Sequence, residues 1–325
     1  MFGIAIKNVL LLTGAGFTKN FGGFLALEMW EEIFNTKWIR ESPKLRSLLL
    51  ENEDFESVYS KVLDEEGFSP DDKERMKKAV RDAYRSLDNA IKSRNRSGNP
   101  YISNVMKLVN LFGGNSSQRG LVFTLNQDLW LERQVGVNCL GVDGFARPLY
   151  DRHDEEVSPD EFIKISVDGA PERARAHSGD RGGLIYLKLH GSYAWTSAEN
   201  PDQMIIGTRK EKMIKEHPLF SWYFEAFKWA IARGNQKLLV IGYGFRDEHI
   251  NRLLLEGVEQ HALKLYVLTT TRLHQLRHEM TYGQAFARPL LAGIHGYYPR
   301  SLSEIFPGDQ RETDHARRLF ADLQD

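Results

Sequence analysis

The stretch Asn8-Val-Leu-Leu-Leu-Thr-Gly14-Ala-Gly16-Phe-Thr18 decides the fold of this chain. Val9 to Leu12 form a short apolar run, which is typical of a strand buried on both faces of a parallel sheet. Two glycines follow at once, and such a turn before a helix can present backbone N–H groups to a pyrophosphate. A tight turn without a ligand explains the pattern about equally well, because a Gly-Xaa-Gly pair is not specific. The stretch therefore predicts the first strand and turn of an α/β domain.

Composition restricts the class of protein. Of the 325 residues, 42% are apolar and 27% are charged, which is ordinary for a soluble globular protein. The formal net charge of −1 gives no electrostatic footprint for nucleic acid. We find no secretory leader and no apolar run that could cross a bilayer, so we expect a cytoplasmic protein. The single cysteine, Cys139, excludes an intramolecular disulfide and a cysteine-rich zinc site.

Strand-like and helix-like segments alternate along the chain. Helical periodicity dominates from about residue 43 to 112, between the first and second predicted strands. This alternation predicts an α/β fold: a Rossmann-like, doubly wound, mostly parallel sheet with a helical insertion. The later strands are predicted at Gly120–Asn126, Leu184–His190, Lys237–Ile241, Leu263–Thr269 and Leu290–Tyr298.

Polar side chains stand at the predicted carboxyl ends of three later strands. They are Asn126 with Asp128, then His190, then the run Gly242–His249. Ligands of open α/β sheets bind at these ends, so the groups are expected to converge on the Gly14 turn. Each also has a purely structural interpretation. Asn126 and Asp128 could cap a helix, His190 could be a turn residue, and the acids of the last run could offset a helix dipole.

Four motifs in this order resemble the sirtuin (Sir2) fold, and more closely the SIR2-like domains of bacterial anti-phage defence proteins. The resemblance spans roughly residues 8 to 270, with the helical insertion outside it. The motifs are Gly14-Ala-Gly16-Phe-Thr18, Thr124-Leu-Asn126-Gln-Asp128, Leu189-His190-Gly191-Ser192 and Ile241-Gly-Tyr-Gly-Phe-Arg-Asp-Glu-His249.

The resemblance implies a domain division and a set of site residues. A SIR2-like NAD-binding catalytic domain would comprise residues 1–34 and 114–308, with a helical insertion at 35–113 and a C-terminal helix at 309–325. NAD, as substrate, would lie on the Gly14 turn, and the implied catalytic residues are Asn126, His190 and Asp128. The implied NAD-binding residues are Gly14, Ala15, Gly16, Phe17, Thr18, Gly242, Tyr243 and Gly244.

Two departures bear on the reaction. Sirtuins carry Gln and Ile where this chain has Leu125 and Gln127, and their Asp-Phe-Arg segment is not visible. Their deacylases also carry a four-cysteine zinc module, which one cysteine cannot build. We therefore expect no zinc and no metal ligands, and NAD-dependent deacylation becomes the less favoured reaction.

The resemblance implies an NAD+ hydrolase that depletes NAD in anti-phage defence. Asn126 would orient a water, and His190, expected to titrate near neutrality, would accept a proton. A homo-oligomer and a HerA-type ATPase partner are also implied. Deacylation, ADP-ribosyl transfer, or a silent NAD or ADP-ribose sensor remain the alternatives.

Three other features carry weaker signals. His274 and His278 have a spacing that can bind metal, but a solvated helix face explains the pair better. Residues 151–183, rich in charge, Gly and Pro, are predicted to form a mobile loop or lid. The small basic run in it, Arg173, Arg175, His177 and Arg181, is better explained as surface than as a phosphate site.

Overall fold

The computed structural model describes residues 5–93, 100–113, 118–136, 139–140, 142–143, 147–148, 184–195, 203–281 and 287–324. The predicted lid and its basic run lie outside these residues. Gly191, just after the predicted strand Leu184–His190, forms an isolated antiparallel bridge with Met204.

The architecture is a six-stranded sheet whose strands all run parallel, in the order β5-β2-β1-β6-β7-β8. This confirms the α/β, Rossmann-like prediction. The strands are β1 Ala5–Thr13, β2 Gln118–Thr124, β3 Val142–Asp143, β4 Arg147–Pro148, β5 Leu184–Lys188, β6 Lys237–Ile241, β7 Lys264–Thr269 and β8 Ile294–Pro299. The short strands β3 and β4 pair with each other.

Helices flank the sheet and fill most of the stretch between β1 and β2. The first eight are α1 Ala15–Lys19, α2 Ala26–Phe34, α3 Lys37–Arg40, α4 Pro43–Glu51, α5 Phe55–Asp64, α6 Pro70–Ser93, α7 Ile102–Leu111 and α8 Trp130–Val135. The remainder are α9 Lys210–Glu216, α10 Pro218–Ala232, α11 Glu248–His261, α12 Leu273–Thr281, α13 Ala287–Ala292, α14 Leu302–Ile305 and α15 Asp314–Gln324. Among the described residues, no helix is both long and apolar enough to span a membrane.

β1 lies at the centre of the sheet. Leu10, Leu11 and Leu12 are fully buried, as expected for a strand covered on both faces. β1 pairs with β2 on one side and with β6 on the other. The strands β2 and β5 lie on one side of β1, and β6, β7 and β8 lie on the other. The topological switch point therefore lies between β1 and β6. The carboxyl ends of all six strands face one edge, and this edge carries the candidate site.

The long helix α6 organises the residues inserted between β1 and β2. It carries an apolar stripe at helical spacing, and all five side chains of that stripe are buried: Met76, Val80, Tyr84, Leu87 and Ile91. Ser69 and Asp72 exchange hydrogen bonds at its start, which satisfies helix-terminal N–H groups. α6 packs against α3 and α5 within the predicted insertion and against α2 outside it, so α2 links the insertion to the rest of the domain.

Two boundaries near the C-terminus differ from the sequence prediction. The strand predicted at Leu290–Tyr298 begins only at Ile294, because the preceding residues close the helix Ala287–Ala292. The last helix begins at Asp314 rather than at residue 309. There the Thr313 hydroxyl accepts a hydrogen bond from the Ala316 N–H at 3.1 Å, which marks the start of the helix.

The two glycine turns at the switch point pack backbone against backbone. The Gly16 N–H donates to the Gly242 carbonyl at 2.8 Å, and the Gly14 N–H donates to the Ile241 carbonyl at 2.9 Å. A Cβ on Gly16 would lie 2.8 Å from Gly242 Cα. Gly242 has φ +64°, and its Cβ would lie 2.2 Å from the Phe17 nitrogen. Close chain packing therefore explains the glycine pattern.

Gly242→Ala is expected to destabilise the protein by about 3 kcal/mol or more, because the new methyl group meets backbone that cannot move aside. Gly244→Ala is the matched control: its Cβ would have only Arg246 Cγ, at 3.9 Å, nearby. Urea unfolding of the two variants measures the difference. Equal stabilities would contradict this explanation of the glycines.

Candidate functional site

Asn126 follows β2 and is anchored to the first glycine turn. Its Nδ2 donates to the Gly14 carbonyl at 3.0 Å and to Thr18 Oγ1 at 3.3 Å. Its backbone N–H donates to the Thr124 hydroxyl at 3.1 Å, and the residue is 8% exposed. These bonds place the amide over the end of β1 instead of at the start of helix α8. The helix-capping interpretation of Asn126 is therefore wrong.

The first glycine turn uses most of its N–H groups inside the protein. Gly14 and Gly16 donate to the β6 turn, and the Phe17 N–H donates to the Gly14 carbonyl at 2.8 Å. The expectation that these groups face a pyrophosphate is wrong for these three residues, because protein carbonyls occupy them. Ala15 is the exposed residue of the turn. The Phe17 side chain is fully buried and contacts Trp130 edge to face.

Asp128 is buried at the same edge. Its Oδ1 accepts the N–H of Trp130, the first residue of helix α8, at 2.9 Å, although the N-cap position itself is Leu129. Burial raises the pKa of Asp128, while the Lys188 ammonium and the Thr18 hydroxyl oppose that shift. The carboxyl group is thus linked both to helix α8 and to the first glycine turn.

A buried ion pair underlies Asp128. Lys188, at the end of β5, is 0% exposed, and its Nζ lies 3.0 Å from Glu132 Oε1. The same Nζ donates to the Asp128 carbonyl and, at 3.2 Å, to the Tyr186 hydroxyl. Burial raises the pKa of Glu132, against the opposing charge of Lys188. The Lys188–Glu132 pair, through the bond from Lys188 to the Asp128 carbonyl, holds the segment that carries Asp128 in place.

His190 meets a second histidine across the carboxyl edge of the sheet. The Nε2 atoms of His190 and His249 are 2.9 Å apart, which is hydrogen-bonding distance. His190 is 3% exposed, whereas His249 is partly buried at the start of helix α11. One neutral ring must donate and the other accept. His190 is therefore paired with a group from the distant β6 turn.

A charged chain of three residues lies beside the histidines. Lys210 Nζ contacts Asp247 Oδ1 at 2.6 Å and Glu56 Oε2 at 2.8 Å. Asp247 is the N-cap residue of helix α11 but makes no side-chain cap bond, and its carboxylate pairs with Lys210 as well as lying near the helix dipole. Glu56 belongs to helix α5 of the region predicted as the helical insertion. That region therefore contributes directly to the surroundings of His190.

The surroundings shift the pKa values of three groups: His190, His249 and Asp247. Burial holds the pKa of His190 well below its ordinary value, so the expectation of a value near neutrality is wrong. Burial also lowers the pKa of His249 to about 4. Burial alone would raise the pKa of Asp247, but the Lys210 ammonium, which also hydrogen-bonds the carboxylate, helps to hold this pKa below its ordinary value. At pH 7 both imidazoles are neutral and the carboxylate is ionised.

Stability should fall on mild acidification. The folded-state pKa of His249 lies below its unfolded value, so the unfolded chain binds more protons between about pH 6.5 and 4. From His249 alone, roughly 2 kcal/mol should be lost between pH 7 and pH 5. Urea unfolding at the two pH values checks this, with His249→Gln as the comparison. The loss should be smaller in the variant, and equal losses would contradict the assignment.

The turn after β6 supplies the remaining predicted residues. The Tyr243 hydroxyl donates to Asn251 Oδ1 at 3.0 Å and accepts the Asp247 N–H at 3.2 Å. Tyr243 is 5% exposed, so its hydroxyl serves to hold the turn that carries Asp247 and His249. Gly244 is exposed at the surface of the same turn.

Sequence reasoning overlooked several of the residues that the fold brings together. His249 has no role in the sequence prediction. A signal for it exists, because Asp247 and His249 are both titratable and both closely follow the glycine turn after β6. Lys188 had a signal too, as a charge inside an apolar strand. The contact between Glu56 and Lys210 had none, because they come from separate helices. The residues without a predicted role are Glu56, Glu132, Lys188, Lys210 and His249, and Asp247 was expected only to offset a helix dipole.

Comparison with known families gives one match. A SIR2-like domain model matches residues 149–284, less than half of the chain. The matched range contains His190, Lys210 and the run Gly242–His249, but neither the first glycine turn nor Asn126. No curated protein matches the chain. The match supports a SIR2-like domain, and because such domains bind NAD, it indicates an NAD-related activity.

Proposed function

We propose that this protein is an NAD+ hydrolase that cleaves the bond between nicotinamide and ribose, releasing nicotinamide and ADP-ribose. The observation that carries the proposal is the His190–His249 pair, 2.9 Å apart, on the sheet edge that also holds Asn126. The SIR2-like match supports NAD as the substrate. The first glycine turn and the residues Gly242, Tyr243 and Gly244 would then line the NAD site.

For this reaction the protein must orient a water, accept a proton and hold the leaving nicotinamide. Breaking this glycosidic bond develops positive charge on the ribose, as in glycoside hydrolysis. Asn126 donates through Nδ2 to Gly14 and Thr18, which leaves its Oδ1 to accept a hydrogen bond from the attacking water. The neutral imidazole of His190 can accept a proton from that water or from a ribose hydroxyl. Asp128 would lie near the carboxamide of the leaving nicotinamide.

Chromatography of the products of purified protein and NAD separates the candidate reactions. Free ADP-ribose without any added acceptor supports hydrolysis. Products that appear only with an acylated peptide support deacylation, and label attached to protein supports ADP-ribosyl transfer. Unchanged NAD that nevertheless binds supports a sensor.

The biological role we propose is depletion of NAD as an anti-phage effector in the cytoplasm. A constitutively active NAD hydrolase would harm its own cell, so the resting protein must be largely inactive. Moving such an equilibrium from nearly all inactive to nearly all active takes about 5.5 kcal/mol of differential binding. A protein interface can supply this, through a homo-oligomer or a HerA-type ATPase partner.

Light scattering combined with an NAD cleavage assay tests this gating. We expect a homo-oligomer whose rate of NAD cleavage changes by at least roughly an order of magnitude with partner or trigger, because about 5.5 kcal/mol moves the active fraction from nearly none to nearly all. A monomer with full activity that no partner alters would contradict the gating, while leaving the hydrolase proposal intact.

A further inference from the structure

We propose that His190, Asp247 and His249 form a reversible binding site for a divalent transition-metal ion of the Zn²⁺ or Co²⁺ type. One ligand atom from each residue lies within 4.8 Å of the other two. The three come from the ends of two strands that are not neighbours, β5 and β6. The fold itself therefore assembles this set of donors.

The distances suit a metal after a small adjustment. Two imidazole nitrogens bound to one tetrahedral zinc at 2.0–2.1 Å stand about 3.3 Å apart. The two Nε2 atoms are 2.9 Å apart, so they need separate by only a few tenths of an ångström. The ring that donates through Nε2–H takes its other neutral tautomer, with the proton on Nδ1, and the hydrogen bond between the rings is then exchanged for two metal–nitrogen bonds. Rotation of the Asp247 carboxylate brings in the third ligand.

The charges around the donors also favour a cation. Lys210 contacts Oδ1 of Asp247 at 2.6 Å, and we assign the other carboxylate oxygen, Oδ2, as the ligand atom. The positive charge of Lys210 is offset by Glu56, at 2.8 Å on its other side. The Asp247 charge therefore remains available to the metal. Lys210 would also hold the carboxylate in place, as outer contacts of metal ligands commonly do.

The donor set selects the class of metal. Two imidazole nitrogens with one carboxylate oxygen suit Zn²⁺, Co²⁺ or Ni²⁺, whereas Mg²⁺ and Ca²⁺ prefer oxygen ligands. Such a site differs from the cysteine module of sirtuin deacylases, which the sequence excludes. It also departs from the sequence expectation that the chain has no metal ligands.

A bound metal would prevent His190 from acting as the proton acceptor. With a metal on Nε2 and the proton on Nδ1, the ring has no lone pair left to accept a proton, so bound Zn²⁺ should inhibit NAD cleavage. This consequence rests on the proposed function, whereas metal binding itself does not. Direct binding and inhibition are therefore measured separately.

Titration of the purified, metal-free protein with Co²⁺, followed by visible absorption, tests the binding. We expect one Co²⁺ per chain with tetrahedral absorption bands, and a loss of affinity of at least about tenfold in His249→Gln. His274→Ala, which removes an exposed histidine of helix α12, is the matched control and should bind as wild type does. Circular dichroism checks folding, and Asp247→Asn replaces His249→Gln if that variant fails to fold.

Two results would overturn the site: no Co²⁺ bound by the folded wild type, or equal affinity in His249→Gln, Asp247→Asn and His274→Ala. In the second assay, Zn²⁺ should reduce NAD cleavage and a chelator should restore it. Bound metal with undiminished cleavage would refute the inhibition and the proton-accepting role of His190, while the metal site would stand.

Discussion

His190→Ala and Asn126→Ala should each lower the rate of NAD cleavage by about a hundred- to ten-thousand-fold, the usual contribution of a positioned acid or base. His190→Ala removes the imidazole that accepts the proton. Asn126→Ala removes the amide that orients the water and also its bonds to Gly14 and Thr18. The release of nicotinamide, followed by chromatography, gives the rates.

Both variants should remain folded, because the two side chains lie at strand ends, outside the apolar runs that hold the sheet. Glu248→Ala is the matched control. Glu248 is a neighbour of Asp247, but its exposed carboxylate points to the surface, where it pairs with Arg252. It should retain wild-type cleavage. Full NAD hydrolysis by either His190→Ala or Asn126→Ala would refute the assignment of these residues.

Lys188→Met should cost about 3–5 kcal/mol of stability, the usual result of removing one partner of a buried ion pair. The reason is that Glu132, 2% exposed, would keep its buried carboxyl without its cation. Urea unfolding measures the loss. Replacing both residues, as Lys188→Met with Glu132→Gln, should recover a large part of it, because no unpaired charge then remains.

Lys237→Met is the matched control, because it also replaces a lysine of a strand by methionine. Lys237 starts β6, and its Nζ donates to the Asp322 carbonyl at 2.8 Å rather than to a buried acid. Its loss should cost only about 1 kcal/mol, as for one hydrogen bond. If Lys188→Met and Lys237→Met were equally stable, the Lys188–Glu132 pair would not stabilise the segment that carries Asp128 as we describe.

The sheet could be predicted from sequence because its signals are local. The apolar run Val9–Leu12 and the buried run Lys237–Ile241 each indicate a strand by themselves. The stripe of helix α6 is similarly visible, since its period is that of a helix. The last strand was placed too early, because Leu290 belongs to a short helix and its apolar character does not distinguish helix from strand.

The site could be predicted only in part. Residues at the ends of parallel strands are expected at one edge, and this indicated Asn126 and His190. The pairing of His190 with His249 depends on how far two loops reach across that edge. The contact of Lys210 with Glu56 depends on the packing of separate helices. The low pKa of His190 follows from burial, and burial is a property of the folded chain.

Cleavage of NAD in water enriched with ¹⁸O tests the central claim most directly. Hydrolysis at the nicotinamide–ribose bond should yield nicotinamide and ADP-ribose in equal amounts, with one ¹⁸O incorporated into the ADP-ribose, as mass spectrometry would detect. His190→Ala should form little of either product. Nicotinamide released without labelled ADP-ribose, or no cleavage by the wild-type protein in any assembly state, would contradict the account.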